Sequence, residues 1–219
     1  MDYFKTDENG KRTITFGRYP TTAEGDIREL VWRVLRVENS KALVLSEYAL
    51  DCKQYNDEAI ENAPWERCSL REWLNNDFFR VAFNDAEQKR ILSTALKVEE
   101  KPIYDSYFGT TIEPGSDTID KVFLLSVKEA KTLFESNEAR LCLPTAYAKM
   151  KGVETDEGDE YKPYENPHCL WWLRSSGVVP NGRCFPAATV ADDGGVRPSG
   201  MYCDWEFAVR PAMWISLES

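Results

Sequence analysis

Histidine is nearly missing from this chain, with His168 the only one in 219 residues. A serine or cysteine triad needs an imidazole base, and this chain has one imidazole to offer. It sits beside Cys169, and neighbouring side chains of a strand point to opposite faces, so the two do not form a catalytic dyad. The six cysteines, Cys52, Cys68, Cys142, Cys169, Cys184 and Cys203, include no C-x-x-C pair. Zinc wants closely paired ligands, so the thiols are expected to be reduced and mostly buried, while their even count permits disulfides.

Positive charge is short as well. Lys and Arg number 27 against 37 Asp and Glu, a net charge of −10. Nucleic acids and anionic membranes recruit basic patches, so neither is an expected partner. No apolar run reaches the roughly 20 residues that a spanning helix needs, which argues against membrane insertion. The opening MDYFKTDENGKRTITF lacks a basic stretch leading into an apolar one. No signal peptide is read there, and the chain is expected in the cytoplasm, with a phage particle or a displayed surface as the other destinations. G-x-S-x-G, P-loop, EF-hand and dinucleotide fingerprints are all absent, and no cofactor is expected.

What is present is a core. A hydrophobic content of 42% with 12% aromatics suits one folded domain over 1–219. Arg12 to Tyr19 alternates Ile14, Phe16 and Arg18 against polar neighbours and stops at Pro20, which predicts a strand. Leu30 to Val37 predicts a second, with Trp32, Val34 and Arg36 on one face. Asn39 to Lys41 turns the chain into a third, Ala42 to Ser46. Helices follow. The sequence SLRE from Ser69 to Glu72 predicts a capping box with Ser69 as N-cap; NDAE from Asn84 and SVKE from Ser126 repeat the pattern. Leu70, Trp73 and Leu74 share a helix face, and Phe78, Phe79 and Phe83 read as core anchors. Lys101 to Asp120 reads as a surface excursion, Lys121 to Ser126 as a short buried strand, and Thr145 to Met150 as a helix. The acidic run Gly152 to Glu160 reads as a solvated loop.

From Cys169 the pattern returns to strands: Cys169 to Arg174, Ala187 to Val190, a tight Asp-Gly turn at Asp192 to Gly195, Val196 to Ser199, and a final strand Phe207 to Leu217. Strands at both ends around central helices give an α+β class, with Thr13–Phe16 expected beside Val209–Ile215 in one sheet. The stiff blocks Trp171–Arg174 and Val209–Ile215 bracket a Gly-, Pro- and Asn-rich stretch carrying Phe185, Tyr202 and Trp205. Rigid aromatics among small polar residues give contact area at small entropic cost, so this stretch is the candidate binding face. Arg183, Arg197 and Asp204 would add polar selectivity. Arg174 and Arg210, lone charges in apolar blocks, are expected to fix the frame through an ion pair or backbone hydrogen bonds. Asp192 and Asp193 read as turn residues; a calcium role would need Asp204 and Glu206 to join them.

These motifs carry a resemblance. WWLRSSG, AATVADDGGV and VRPAMWI are similar to the C-terminal signature of a widespread group of bacterial domains of uncharacterised function. FGRYP, LVLSEYALDCKQYN, SLREWLNNDFF and the VFLLS–helix block extend the likeness over nearly the whole chain. Ser176 stands where Pro is frequent and Ala208 where Gly is usual. The resemblance implies a C-type-lectin-like fold, of the branch shared with formylglycine-generating enzymes, with the N- and C-terminal strands in one sheet and a loop-rich binding face at 171–215. Some such domains resemble the variable proteins of diversity-generating retroelements, in which a constant scaffold carries rewritten surface positions. On that likeness the ligand-binding, variable positions would be Val178, Val179, Asn181, Arg183, Phe185, Thr189, Asp192, Arg197, Ser199, Met201, Tyr202, Asp204 and Trp205. The expected function is non-enzymatic binding of a protein or cell-surface ligand, with oligomerisation compatible. An enzyme of the formylglycine-generating type using Cys184, Cys203 or a metal is the alternative, and a structural module of a phage or cell surface is a third. The Glu-Pro-Asn and Trp-Asn-Asp motifs of calcium lectins are absent.

Overall fold

The computed structural model describes residues 3–58, 63–98, 101–105, 110–156, 167–177 and 187–218. The expected positions Val178, Val179, Asn181, Arg183 and Phe185, together with Cys184, lie outside these residues, as does the acidic run beyond Asp156.

An antiparallel sheet, a mixed sheet and a belt of short helices make the α+β body. The first sheet starts with β1 (Lys5–Thr6), β2 (Arg12–Pro20), β3 (Ile27–Glu38) and β4 (Lys41–Ser46), and the last strand, β14 (Ala212–Ser216), closes it beside β4. The N- and C-terminal strands therefore share a sheet, but β3 and β4 stand between them. Thr13–Phe16 is not beside the C-terminal strand as expected: β2 pairs with β3 and with β1 on its far side, and β14 takes the other edge of the meander, pairing Trp214 with Leu43 on β4. Alternation buries Ile14, Phe16, Trp32 and Val34. Arg18 and Arg36 leave the inner face because the register slips between Thr15 and Arg18 and between Val34 and Arg36. A one-residue bulge flips every later side chain, so Tyr19 and not Arg18 points inward.

The second sheet holds β5 (Asp51–Gln54), β10 (Trp171–Ser176), β11 (Ala187–Val190), β12 (Val196–Met201) and β13 (Glu206–Val209), in the order β12-β11-β10-β13-β5. Two ribbons complete the strands, β6 (Thr94–Leu96) with β9 (Thr118–Asp120) and β7 (Ile103–Asp105) with β8 (Thr110–Ile112). Lys121 to Ser126 is not a strand, though Val122 to Leu125 are buried and Phe123 bridges Ala212.

The expected single strand Phe207 to Leu217 is two strands in two sheets, parted at Arg210–Pro211. Proline brings no N–H to a ladder, so the chain leaves one sheet there and enters the other. Its carbonyl still accepts from the Ser46 amide at 2.9 Å. Arg210 is fully buried at the crossing and donates to the carbonyls of Ser46 at 3.0 Å, Arg140 at 3.0 Å and Glu47 at 3.4 Å. Its guanidinium lies 5.0 Å from the centroid of Trp171. Backbone oxygens thus solvate a cation that would otherwise be costly to bury.

The helical belt runs through α1 (Ser69–Trp73), a π-turn at Leu74–Phe78, α2 (Phe79–Ala82), α3 (Asp85–Arg90), α4 (Val127–Thr132), α5 (Asn137–Arg140) and α6 (Ala146–Met150). Asn84 with Glu87, and Ser126 with Glu129, form reciprocal capping boxes. Ser69 does not cap α1. Cys68 holds the cap position, and the Ser69 hydroxyl accepts from the Asp57 amide at 2.9 Å instead. The π-turn has a local cause. Asn75 and Asn76 donate to the carbonyls of Arg71 and Glu72, each at 3.0 Å, and so compete for the helical acceptors four residues back.

Candidate functional site

The strands that carry the C-terminal face are fixed at both ends. At one end, the β11–β12 turn holds itself with Asp193, which accepts from the Gly195 amide at 2.7 Å and from Arg197 at 2.5 Å. Gly194 sits at φ +75°, and an added Cβ would lie 2.0 Å from the Asn137 carbonyl oxygen, so only glycine lets this turn dock on α5. Buried Arg140 seals the contact: its Nε donates to the Gly194 carbonyl at 2.7 Å, and its Nη2 also meets Asn137.

At the other end, residues 202–205 cross from β12 to β13. The Trp205 amide closes a turn on the Tyr202 carbonyl at 3.2 Å. The Cys203 carbonyl accepts from the Asn56 amide at 3.0 Å, and the Asp204 carbonyl from Gln54 Nε2 at 2.7 Å. Cys203 is buried and disulfide-bonded, a departure from the reduced thiols expected. Tyr202 and Trp205 meet at a 45° tilt with centroids 5.1 Å apart, Trp205 meets Phe207 at 6.2 Å, and Phe207 sets its ring nearly perpendicular to fully buried Trp172 at 5.0 Å. Trp172 continues to Tyr55 at 5.6 Å. An aromatic ladder therefore runs from Trp205, 49% exposed, into the core.

Among the expected contacts, Arg197 and Ser199 are exposed on the edge strand β12, and Met201, Tyr202 and Asp204 are half-buried. Thr189, expected among the contacts, is instead fully buried in β11, opposite Trp172 and Arg197, and presents nothing to a ligand. Asp192 and Arg197 lie by the docked turn. Arg197 and Met201 are four residues apart on a strand, about 13 Å at ~3.3 Å per residue. The face is thus a strip with a polar end and an aromatic end. Pro198, exposed on β12, blunts that edge against strand pairing.

The frame arginines act through buried bonds. Arg174 donates to the Leu124 carbonyl at 2.9 Å and pairs with Glu129, the carboxylate that also caps α4. His168 is buried; its amide donates to Asp156 Oδ1 at 2.6 Å, and its carbonyl accepts from the Asp156 amide at 3.1 Å. Cys52, Cys68, Cys142 and Cys169 are free and buried. Burial pushes the Cys52 and Cys68 thiols up to about 12. Among the described residues no group of His, Cys, Asp and Glu is arranged to hold a metal ion.

One feature has no sequence signal. A groove of about 690 Å³ separates the helical segment 69–80 from strand β5. Ser69, Glu72, Trp73, Asn76, Asp77 and Arg80 form its helical wall. Trp73, expected in the core, is half-buried there beneath the Lys53 ammonium, 4.5 Å from its centroid. Glu206, next to Trp205, links the groove to the aromatic end of the face.

A family model described as a domain of unknown function (DUF6273) matches residues 39–217. No curated protein and no solved structure matches the chain. No helix among the described residues is long and apolar enough to cross a membrane.

Proposed function

We propose that this chain, which belongs to the DUF6273 family, is a non-enzymatic domain that binds a protein or cell-surface ligand through its C-terminal face. The observation that carries this reading is Trp205. A half-exposed indole packed at a tilt against Tyr202, backed by Phe207 and Trp172, is an anchor whose neighbours limit the ordering left to binding. The loop beneath it is tied to Gln54 and Asn56 and closed through the Cys203 disulfide. Tied that way, Cys203 offers no free thiol for cysteine chemistry, which favours binding over the enzymatic alternative. Arg197, Ser199, Met201 and Asp204 would supply the surrounding contacts, with Val178, Val179, Asn181, Arg183 and Phe185 as further candidates. A C-type-lectin-like scaffold with rewritten positions, as in diversity-generating retroelements, fits the motifs WWLRSSG and VRPAMWI.

The test has two arms. Affinity capture from the native host should recover a partner with the wild-type chain and lose it with the Tyr202→Ala/Trp205→Ala variant, whose melting temperature should fall by no more than a few degrees. A variant that unfolds, or a partner kept at full strength, would remove these rings from the proposed site. Sequencing the locus should find a near-repeat template differing at adenines beside a reverse transcriptase gene; a locus without one would end the retroelement part alone.

A further inference from the structure

We propose that the groove between the helical segment 69–80 and β5 is a second binding site, for an extended polypeptide segment whose charges alternate in sign. The chemistry of its walls selects that ligand. The helical wall offers Glu72 and Asp77; facing it, β5 offers Lys53 and the end of α6 offers Lys151. Arg80 on the helical wall and Glu206 on the facing one are single charges of the minority sign, so the first wall stays acidic and the second basic. Some charges elsewhere are closely paired, as in Arg33 with Glu47 at 2.8 Å and Arg71 with Asp120 at 2.7 Å. Among the described residues, none of the groove's charged side chains makes an ion pair.

Alternatives fit less well. A nucleic acid would meet the Asp57, Glu72, Asp77 and Glu206 carboxylates. A sugar would want the Trp73 face for stacking, but the Lys53 ammonium already occupies it at 4.5 Å. An extended peptide sends successive side chains to opposite sides, so alternating Lys and Glu would meet carboxylates on one wall and ammonium groups on the other. The volume of about 690 Å³ falls in the range of small-ligand sites. The π-turn supplies independent support. Such turns are rare and recur at functional sites, and this one puts Asn76 and Asp77 into the groove.

This site does not depend on the reading of the C-terminal face, and the test separates the two. The probes are fluorescein-labelled hexapeptides of equal composition, one alternating Lys and Glu, the other three Lys followed by three Glu, measured by fluorescence anisotropy at low and moderate salt. The alternating peptide should bind at least about tenfold more tightly, and the difference should shrink with added salt. Glu72→Lys/Asp77→Lys and, on the opposite wall, Lys151→Glu should each weaken it roughly tenfold. All three positions are exposed, so folding is kept, and circular dichroism checks it. Trp205→Ala should leave this binding unchanged. Equal binding of the two peptides, no binding of either, or indifference to the groove substitutions would overturn the proposal.

Discussion

The Arg210 guanidinium donates to the Arg140 carbonyl at 3.0 Å, while the Arg140 guanidinium donates to the Gly194 carbonyl at 2.7 Å. Two buried arginines, 70 positions apart, thus form a relay. One end is the crossing where the chain changes sheets, and the other is the β11–β12 turn. The C-terminal face hangs between these points, so its geometry is set by two buried cations.

Replacing Arg210 should therefore cost more than the loss of a charge. Arg210→Met keeps the apolar stem but leaves the Ser46 and Arg140 carbonyls buried without their donor. The expected loss is about 3 kcal/mol or more, read as a lower urea midpoint. Arg210→Lys should recover little of it, because an ammonium on a flexible stem cannot span the planar fork of acceptors. A midpoint unchanged in Arg210→Met would mean that the carbonyls find other partners.

Much of this frame was legible in sequence and its joints were not. Alternation at Ile14, Phe16, Trp32 and Val34 marked β2 and β3, and Asn84 and Ser126 marked two helix starts. The bulges after Thr15 and Val34 left no local mark, since one inserted residue alters pairing and not composition. VRPAMWI read as one strand because both halves are buried in different sheets, so the apolar pattern runs on across Pro211. Ser69 carried a capping pattern, but tertiary hydrogen bonds with Asn56 and Asp57 took its polar groups. The aromatic end of the site, Tyr202 and Trp205, could be read from residue type. The groove could not, because Lys53, Trp73, Lys151 and Glu206 meet only on folding.

Acid should weaken the first sheet through Glu47. Burial raises its pKa, but hydrogen bonds from Arg33 at 2.8 and 3.0 Å and from Lys11 at 3.1 Å outweigh that and hold it below the ordinary 4.5. A carboxyl depressed in the folded state contributes stability above its unfolded pKa and loses it as pH falls through the folded value. Urea unfolding from pH 6 down to 2 should show wild type losing its advantage over Glu47→Gln below about pH 4.5. A constant gap between the two proteins across that window would assign the acid dependence elsewhere.

The aromatic ladder should divide energetically along its length. Trp172→Ala removes a fully buried ring and its donation to the Lys53 carbonyl at 2.9 Å, so about 3–5 kcal/mol should be lost. Trp205→Ala trims a half-exposed ring and should cost about 1 kcal/mol or less. Chemical denaturation of both variants measures the gradient. Equal losses at the two positions would make Trp205 a structural residue.

Thiol reactivity should separate the four free cysteines. Burial and nearby carboxylates push Cys52 up to about 12, and burial, with a smaller push from the Asp120 carboxylate, does the same at Cys68. Cys142 differs. Burial opposes its ionisation, but the Cys169 thiol and the Arg210 guanidinium together outweigh it and hold Cys142 below an ordinary thiol, while that contact raises Cys169. Alkylation needs the thiolate, and all four side chains are shielded, so labelling proceeds through local opening. At pH 8 and low urea, iodoacetamide followed by peptide mass mapping should find Cys142 modified first. Cys52 and Cys68 should follow only through the unfolding transition. In Arg210→Met, compared at equal stability, the lead of Cys142 should shrink, because the guanidinium that favours its thiolate is gone. Labelling of Cys52 or Cys68 ahead of Cys142 would show that differences in the ease of local opening outweigh the field of Arg210 in setting the order.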